Sequence, residues 1–524
     1  MSDFDIVIRG GDVLDGTGAA ARRADVGVRD GRIAAVSGER LDGATVVDAD
    51  GQVVTPGFID LHSHADFTLA HDPGAVTQLA QGVTTLITGN CGHSPFPVGD
   101  LALHQRTSAF DPARLRWSWR DGAGFAADLG GVAPAVNVGL QIGHNAVRLA
   151  VLGAEDRAPT GDELHRMCEL VRAAAAQGAV GFSTGLIYTP GLFAAPAEVR
   201  ALVAAAASAG LLYSTHLRNE TSALADAVAE AIEAAEAGGA RLEISHLKSM
   251  GPANHGAVHD ALALIDAARE RGVDVMADVY PYTASSTELA SRLPSWAVDG
   301  GKDALVARLA DPVLRGKMAA ALRERFGRDI DPEGVVLGEL PPGPYRASTG
   351  LSIADIGRAE GTDPAEAALR VLEAHSAQAM IVNHAMSEDD VVAVLRHPVV
   401  SVASDGWIMT ETGEGRPHPR SFGTFARVLA RYVRERGVLT LEEAVHKMTG
   451  LPAARLGWND RGVLREGAVA DIAVFDPDTV TDHSTFDEPW QLATGCSTVL
   501  VGGTPALLHG EATSARSGVV VGAS

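Results

Sequence analysis

The stretch LLYSTHLRNETSALADAVAEAIEAAEAGGARLEISHLK, residues 211–248, contains two short apolar runs separated by an alanine-rich segment. The first run contains leucine, tyrosine and threonine, and the second contains leucine and isoleucine. These residue types suit buried strands. Residues 222–237 between them have the composition and length of a helix. The order predicts a strand–helix–strand unit, and a helical crossover of this kind makes its two strands parallel.

The same alternation continues on both sides of this unit. Further helical stretches occur at 162–177, 196–209 and 257–271, and each lies between two buried-type runs. Eight such runs predict an α/β protein with a closed (β/α)8 barrel of the TIM type. The runs are GFIDLH, GVTTLITGN, APAVNVGLQIGH, AVGFSTGL, LLYSTHLR, RLEISHLK, DVMADVYPY and VVSVASDG.

Two segments do not fit the eight positions. Residues 288–345 break the rhythm with proline-rich pieces and a charged helix, which predicts an inserted subdomain or lid between the seventh and eighth strands. The run AMIVNHAM, residues 379–386, is a ninth apolar run, and we place it outside the barrel.

Both ends of the chain follow a different pattern. Residues 1–55 and the last seventy alternate with period two and are broken by Gly-Gly and Asp-Gly, as hairpins are. Isolated antiparallel hairpins of this length are not stable in water. We therefore expect 1–55 and 455–524 to form one small β-sandwich domain beside a barrel domain at 56–454.

The composition excludes several classes of function. The chain has 43 Lys+Arg against 66 Asp+Glu, a net charge of −23, which argues against binding to nucleic acid or to an anionic membrane surface. The three cysteines are too few for a disulfide framework. No signal peptide and no membrane-spanning run is present, so we expect a cytoplasmic protein.

Five polar residues end barrel strands and should meet at the carboxyl-terminal rim, where barrel active sites lie. His62 and His64, two apart, point to the same side of the first strand. The others are His216, His246 and Asp405. Their convergence predicts a metal site of the zinc type. We assign four further histidines to the surfaces of strands or helices: His104, His165, His259 and His509.

Cys91, in TTLITGNCGHSPFP (84–97), has four possible roles: metal ligand, nucleophile, half of a disulfide, or small residue in a turn. Sparse cysteines disfavour the disulfide. A nucleophile needs its own base, whereas the nearby histidines are better explained as ligands. Because Cys91 ends the second strand on the same rim, a metal-bound thiolate is the favoured interpretation, with the turn residue as alternative.

With these residues identified, the chain resembles the amidohydrolase superfamily and, more closely, its D-aminoacylase (N-acyl-D-amino-acid deacylase) branch. The resemblance extends from about residue 54 to 425. It is carried by TPGFIDLHSHAD, GNCGHSP, GFSTGLIYTPG, STHLRNE, ISHLKSMG, DVYPYTASST, SDGW and RPHPRSFGTF.

This resemblance implies a particular set of ligands. Many superfamily members carry a carboxylated lysine on strand four, which AVGFSTGLIYTPG lacks; in the D-aminoacylase branch a cysteine is the ligand instead, and Cys91 occupies that place. The resemblance therefore implies one tightly bound Zn²⁺ on Cys91, His216 and His246. It implies a second, weaker position on His62, His64 and Asp405.

Candidate catalytic and substrate-binding residues lie on the same rim. Asp405 is the candidate general base toward water and then general acid toward the leaving amine; the alternative is a hydrogen-bonded turn residue. For the substrate carboxylate we select Lys248, Tyr282 and Arg416. Further candidates are Tyr188, Arg292 and Arg218, and His144 and His418 have either a structural or a supporting role.

The expected activity is zinc-dependent hydrolysis of N-acyl-D-amino acids to a carboxylate and a free D-amino acid. The D preference follows from the resemblance alone. Neutral side chains are favoured, unless Arg292 and Arg416 bind a second carboxylate. Alternatives are a cyclic-amide hydrolase of the dihydropyrimidinase or dihydroorotase type and a catalytically silent binding scaffold. The expected partner is a small-molecule substrate, and a homo-oligomer is left open.

Overall fold

The structure is a computed structural model that describes residues 3–107 and 115–522. Its strands, in chain order, are β1 Phe4–Val13, β2 Arg22–Arg29, β3 Arg32–Ser37, β4 Gly43–Asp48, β5 Val53–Pro56, β6 Phe58–Asp60, β7 Val83–Thr88, β8 Asn137–Gly143, β9 Gly181–Gly185, β10 Leu212–His216, β11 Leu242–Ile244, β12 Val275–Val279, β13 Ala284–Glu288, β14 Val335–Glu339, β15 Met380–His384, β16 Val400–Val402, β17 Ile472–Phe475, β18 Cys496–Val501, β19 Thr504–Leu508 and β20 Glu511–Ala512.

The α-helices in the same ranges are α1 Val76–Leu79, α2 Leu101–Thr107, α3 Gly122–Val132, α4 His144–Val151, α5 Gly161–Ala176, α6 Pro196–Ser208, α7 Leu224–Gly238, α8 Val258–Glu270, α9 Ser295–Val298, α10 Gly301–Ala310, α11 Pro312–Arg325, α12 Ile353–Glu360, α13 Pro364–Ala374, α14 Glu388–Arg396, α15 Arg420–Arg427, α16 Leu441–Met448 and α17 Gly450–Leu456. Among the described helices, none has both the length and the apolar character needed to cross a membrane.

Eight parallel strands form the predicted barrel, in the order β6, β7, β8, β9, β10, β11, β12 and β16. Hydrogen bonds at the rim join the first strand to the last: Ser404 N donates to Asp60 Oδ1 at 2.9 Å and Asp405 N donates to His62 O at 2.8 Å. The strands are buried on both faces, which explains why their sequences are apolar runs without alternation.

The crossover helices have the local signals expected of them. Thr160 and Glu163 form a capping box at the start of α5, and Gly239, at φ 67°, ends α7 in the left-handed conformation that glycine adopts without strain. The bounds of α5, α6, α7 and α8 agree with the predicted helices to within two residues. The expectation of a (β/α)8 barrel is confirmed.

The insertion between β12 and β16 is larger than expected. Strands β13, β14 and β15 form a separate antiparallel sheet, and α9–α13 pack beside it around their own apolar core. AMIVNHAM contains β15 and lies outside the barrel, as predicted. The predicted bounds 288–345 are too narrow, because the separate sheet begins at Ala284 and ends at His384. Helices α12 and α13 have ordinary amphipathic sequences, so the sequence pattern did not separate them from barrel helices.

Strands from both ends of the chain pair in one nine-stranded sheet. Its strands are β1–β5 and β17–β20, and the two ends meet where β5 pairs antiparallel with β17. Residues such as Ile8, Val26, Val54 and Ile472 form a shared apolar core. Burial of side chains from both ends in one core explains why neither set of strands has to be stable alone.

Candidate active site

The candidate metal ligands lie at the carboxyl ends of the barrel strands. Cys91, His246 and Asp405 each have a positive φ, 54°, 37° and 50° respectively. Non-glycine residues rarely adopt this conformation and cluster at functional sites when they do. The turn at these three strand ends brings their side chains to the mouth of the barrel.

Cys91 lies at the centre of a buried histidine cluster. Its Sγ is 3.3 Å from His62 Nε2, 3.6 Å from His216 Nδ1 and 3.5 Å from His246 Nε2. Neighbouring sulfur and nitrogen ligands of one tetrahedral zinc ion are about 3.6 Å apart, given Zn–S and Zn–N bonds of about 2.3 and 2.1 Å. One thiol among several imidazoles at this spacing fits zinc.

The protonation of the cluster also fits a metal site. Burial raises the pKa of the Cys91 thiol well above its usual value, so a nearby dication is what would favour the thiolate. Burial lowers the pKa of His62 to about 3, which keeps the imidazole neutral, the form that binds metals.

Asp405 connects two of the histidines to an arginine. Its Oδ1 is 3.4 Å from His62 Nε2 and 3.0 Å from His64 Nε2, and its Oδ2 accepts a 2.6 Å hydrogen bond from Arg420 Nη1. Burial opposes ionisation of this carboxyl, but Arg420 and His62 hold its pKa well below the usual range. Asp405 is therefore a carboxylate.

Two buried acids behind the histidines were not selected from the sequence. Glu220 contacts His216 Nε2 and His246 Nδ1, each at 3.2 Å. Asp278 accepts a 2.7 Å hydrogen bond from His246 N and is 3.5 Å from His62 Nδ1. Glu220 lies four residues after His216 in STHLRNE and Asp278 lies on β12, positions that carry no metal-binding pattern of their own.

The cluster opens into a cavity of about 990 Å³, including its mouth. Among the selected substrate-binding residues, Lys248, Tyr188 and Arg292 line this cavity, and Tyr282 and Arg416 do not. Tyr280 and Arg420, which were not selected, line it instead. Lys248 Nζ is 2.5 Å from Glu220 Oε1 and 2.7 Å from His246 Nδ1.

The end of β12 explains the position of the tyrosines. The strand ends at Val279, so Tyr280 follows directly at the rim, whereas Tyr282 lies beyond Pro281 and packs against His418, with ring centroids 5.1 Å apart. The Tyr280 hydroxyl is buried and has no hydrogen-bond partner among residues 3–107 and 115–522. Lys248 and Arg420 lie over its ring, 5.6 and 5.0 Å from the centroid.

The arginines, like the two tyrosines, lie partly inside and partly outside the inner cavity. Arg416 lies in a wider outer chamber, where its half-exposed side chain is 3.3 Å from Asp487. Arg420, in the first turn of α15, is buried in the inner cavity. Arg218 faces away from the cavity and pairs with Glu230 at 2.9 Å.

The remaining histidines have structural contacts. His144 bonds to Glu198 at 2.8 Å, and His418 Nε2 is 2.9 Å from the carbonyl oxygen of Ala284. The prediction that His104 lies on a surface is wrong. The residue is buried, its Nε2 is 3.1 Å from the carbonyl oxygen of Ser94, and it lines the cavity. Its helix α2 packs over the barrel mouth, which the local sequence did not indicate.

An eight-stranded barrel with a cysteine, histidines and a carboxylate at its carboxyl-terminal rim is the architecture of a metal-dependent hydrolase. The chain belongs to the amidohydrolase family: the sequence model described as "Amidohydrolase family" matches residues 45–506. Within it the chain groups with D-aminoacylases and N-acyl-D-amino-acid deacylases, which confirms the resemblance seen in the sequence.

Three relatives illustrate this relationship. N-acyl-D-glutamate deacylase of Alcaligenes xylosoxydans xylosoxydans is 38% identical over 95% of this chain and 93% of its own. D-aminoacylase of the same organism is 35% identical over 99% and 97%. A crystal structure of N-acyl-D-glutamate deacylase from Bordetella bronchiseptica, complexed with zinc and a phosphonate mimic of the tetrahedral intermediate, is similar with TM-score 0.85 and 37% identity, over 99% of this chain and 100% of that one.

Proposed function

We propose that this protein is a zinc-dependent N-acyl-D-amino-acid deacylase, which hydrolyses the amide bond to a carboxylate and a free D-amino acid. The observation that carries the proposal is the buried cluster of Cys91, His216 and His246 beside Asp405 in one cavity. The names of the full-length relatives support the choice of linear N-acyl-D-amino acids over cyclic amides.

Cys91, His216 and His246 would hold the tightly bound zinc ion. His62, His64 and Asp405 would form a second, weaker position, with Asp405 3.0 Å from His64 and 3.4 Å from His62. When bound, zinc supplies Lewis acidity that polarises the acyl carbonyl and lowers the pKa of water to about 7.

Asp405 moves the proton. As a carboxylate, it accepts a proton from the water that attacks the acyl carbon. It then delivers this proton to the amine nitrogen as the carbon–nitrogen bond breaks, because an amine anion is a very poor leaving group. Arg420, 2.6 Å from Oδ2, holds the carboxylate in place and leaves Oδ1 directed at the histidines.

Lys248, Tyr280 and Arg420 are proposed to bind the α-carboxylate of the substrate. Two cations flank the ring of a tyrosine whose buried hydroxyl lacks a partner among the described residues. An unpaired buried hydroxyl costs about 1–3 kcal/mol, and a carboxylate oxygen would satisfy it. Tyr280 and Arg420 thus take the places proposed from the sequence for Tyr282 and Arg416.

We further propose an acidic substrate side chain, in contrast to the neutral one favoured by the sequence. Arg292 is 6% exposed, lines the cavity and forms no ion pair with the residues described. Burial, together with Arg325, lowers its pKa, so a pairing carboxylate would stabilise it. A glutamate-like side chain supplies that carboxylate, in keeping with the name of the 38% identical relative.

The test measures zinc content and amine release together. Substrates are N-acetyl-D- and N-acetyl-L-glutamate, -leucine and -phenylalanine, and the variants are wild type, Cys91→Ala and, as matched control, Cys168→Ala, a half-buried thiol outside the cavity. We expect zinc and activity on D-glutamate in wild type and Cys168→Ala, and loss of both in Cys91→Ala. Hydrolysis of a hydantoin but of no N-acyl amino acid would contradict the proposal.

A further inference from the structure

Glu220 contacts both of the histidines that flank Cys91. Its Oε2 is 3.2 Å from His216 Nε2 and its Oε1 is 3.2 Å from His246 Nδ1. In each ring the other nitrogen faces the cysteine: His216 Nδ1 at 3.6 Å and His246 Nε2 at 3.5 Å. One carboxylate therefore lies behind both rings and one thiol lies in front of them.

We propose that Glu220 is a positioning residue that sets the tautomers of His216 and His246 for metal binding. A neutral imidazole carries one proton, and only the nitrogen without it can bind a metal. A carboxylate accepts hydrogen bonds and donates none. At 3.2 Å from both rear nitrogens, its negative charge favours the tautomer with the proton on the rear nitrogen of each ring, which leaves the lone pairs of the front nitrogens toward Cys91.

Lys248 opposes this arrangement at His246. Its Nζ is 2.7 Å from His246 Nδ1, closer than Glu220, and an ammonium group can only donate. A hydrogen bond from Lys248 to Nδ1 places the ring proton on Nε2 and removes the lone pair that faces Cys91. Glu220 counters it in two ways: its Oε1 accepts a hydrogen bond from the ammonium at 2.5 Å, and the same oxygen lies 3.2 Å from Nδ1, where its negative charge favours a proton on that nitrogen.

The inference rests on the zinc ligands proposed above and concerns metal affinity rather than turnover. Competition with a chelating dye measures the zinc affinity of wild type, Glu220→Gln, Lys248→Met and the double variant. We expect Glu220→Gln to lose about 10–100-fold in affinity, because a neutral amide lacks the negative charge that faces both rear nitrogens. Lys248→Met alone should stay within about threefold of wild type, since the Glu220 carboxylate still faces both rear nitrogens.

The double variant separates tautomer selection from a general packing defect. Because the competing donor Lys248 is removed, the double variant should bind zinc at least about threefold more tightly than Glu220→Gln. A packing defect would instead grow with a second buried substitution. Glu230→Gln, which alters a carboxylate paired with Arg218 outside the cavity, is the matched control and should bind zinc like wild type.

Equal zinc affinity of wild type and Glu220→Gln, or no recovery in the double variant, would overturn the inference. Absence of zinc binding by wild type would instead overturn the proposed function, so the two failures are distinct. The thermal midpoint of each metal-free variant shows whether it is folded before its affinity is compared.

Discussion

Arg420 Nη1 lies 2.6 Å from Asp405 Oδ2, and both side chains are more than 90% buried. The pair joins the carboxylate at the end of the last barrel strand to the first turn of α15, fifteen residues later in the chain. It makes the orientation of the proposed catalytic acid–base group dependent on a helix that follows the loop at 407–419.

Substitution of Arg420 should therefore affect turnover far more than substitution of the arginine four residues before it. Arg420→Met leaves the buried Asp405 carboxylate without the partner that orients it, and misplacement of a catalytic group costs about 100-fold in rate, so we expect kcat/KM to fall by at least about 100-fold. Arg416→Met, whose side chain is half-exposed beside Asp487, should stay within about threefold of wild type. Similar losses in the two variants would show that Arg420 is wrongly assigned as the arginine that orients the Asp405 carboxylate.

The two tyrosines of DVYPY offer a matched pair. Tyr280→Phe removes a buried hydroxyl that has no hydrogen-bond partner among the described residues, and loss of a hydrogen bond to a charged group costs about 1.5–3 kcal/mol. KM for the N-acyl amino acid should rise by about 10–100-fold. Tyr282→Phe removes a hydroxyl that lies outside the cavity and donates to Pro419 O at 3.5 Å, and its KM should be nearly unchanged. The reverse order would restore Tyr282 as the substrate-binding tyrosine.

Arg292 should control the choice of substrate side chain. In Arg292→Met we expect the ratio of kcat/KM for N-acetyl-D-glutamate to that for N-acetyl-D-leucine to fall by about 10–100-fold, the equivalent of one charge-assisted hydrogen bond. Arg218→Met, which alters an arginine paired with Glu230 away from the cavity, is the control. An unchanged ratio, or a wild type that prefers leucine, would contradict an acidic specificity.

The buried side chain of Lys447 should make the free energy of unfolding depend on pH, and this effect is independent of the proposed metal site. Burial lowers its pKa in the folded protein from 10.5 to about 8, and its ammonium donates to the carbonyls of His397 and Val400. Between pH 8 and 10.5 the unfolded chain binds this proton more tightly than the folded one, so the free energy of unfolding rises with pH through this group.

Lys447→Met removes this contribution. The thermal midpoint of wild type, measured relative to that of the variant, should therefore increase from pH 7.5 to pH 9.5, by an amount that corresponds to about 2 kcal/mol. A difference that stays constant or decreases over this range would show that the buried lysine keeps an ordinary pKa.

Much of the barrel and of the metal cluster was predictable from local sequence. The apolar runs and the helices between them specify parallel strands, because a strand buried on both faces has no polar alternation. His216 and His246 occupy the same position in successive units, and this repetition indicates a shared rim before any distance is known.

The residues that surround the cluster depended on contacts between distant segments. Glu220 and Asp278 lie behind the histidines because loops and strands from different units pack together, and Arg420 reaches Asp405 because α15 starts where it does. The proposed choice of Tyr280 over Tyr282 depends on where β12 ends, and strand ends are set by tertiary hydrogen bonds rather than by composition.

The sequence by itself determined the fold class, because hydrophobic periodicity is a local property of the chain, and its motifs carried the resemblance to the family and marked the polar residues of the barrel rim. The tertiary structure decided which side chains share the cavity, that Arg292 forms no ion pair there with the residues described, and which carboxylate lies behind the proposed metal ligands. Apart from the contact of Glu220 with His216, four residues away, these features depend on distances of a few ångströms between residues that are 15 to 155 positions apart, and no local pattern encodes them.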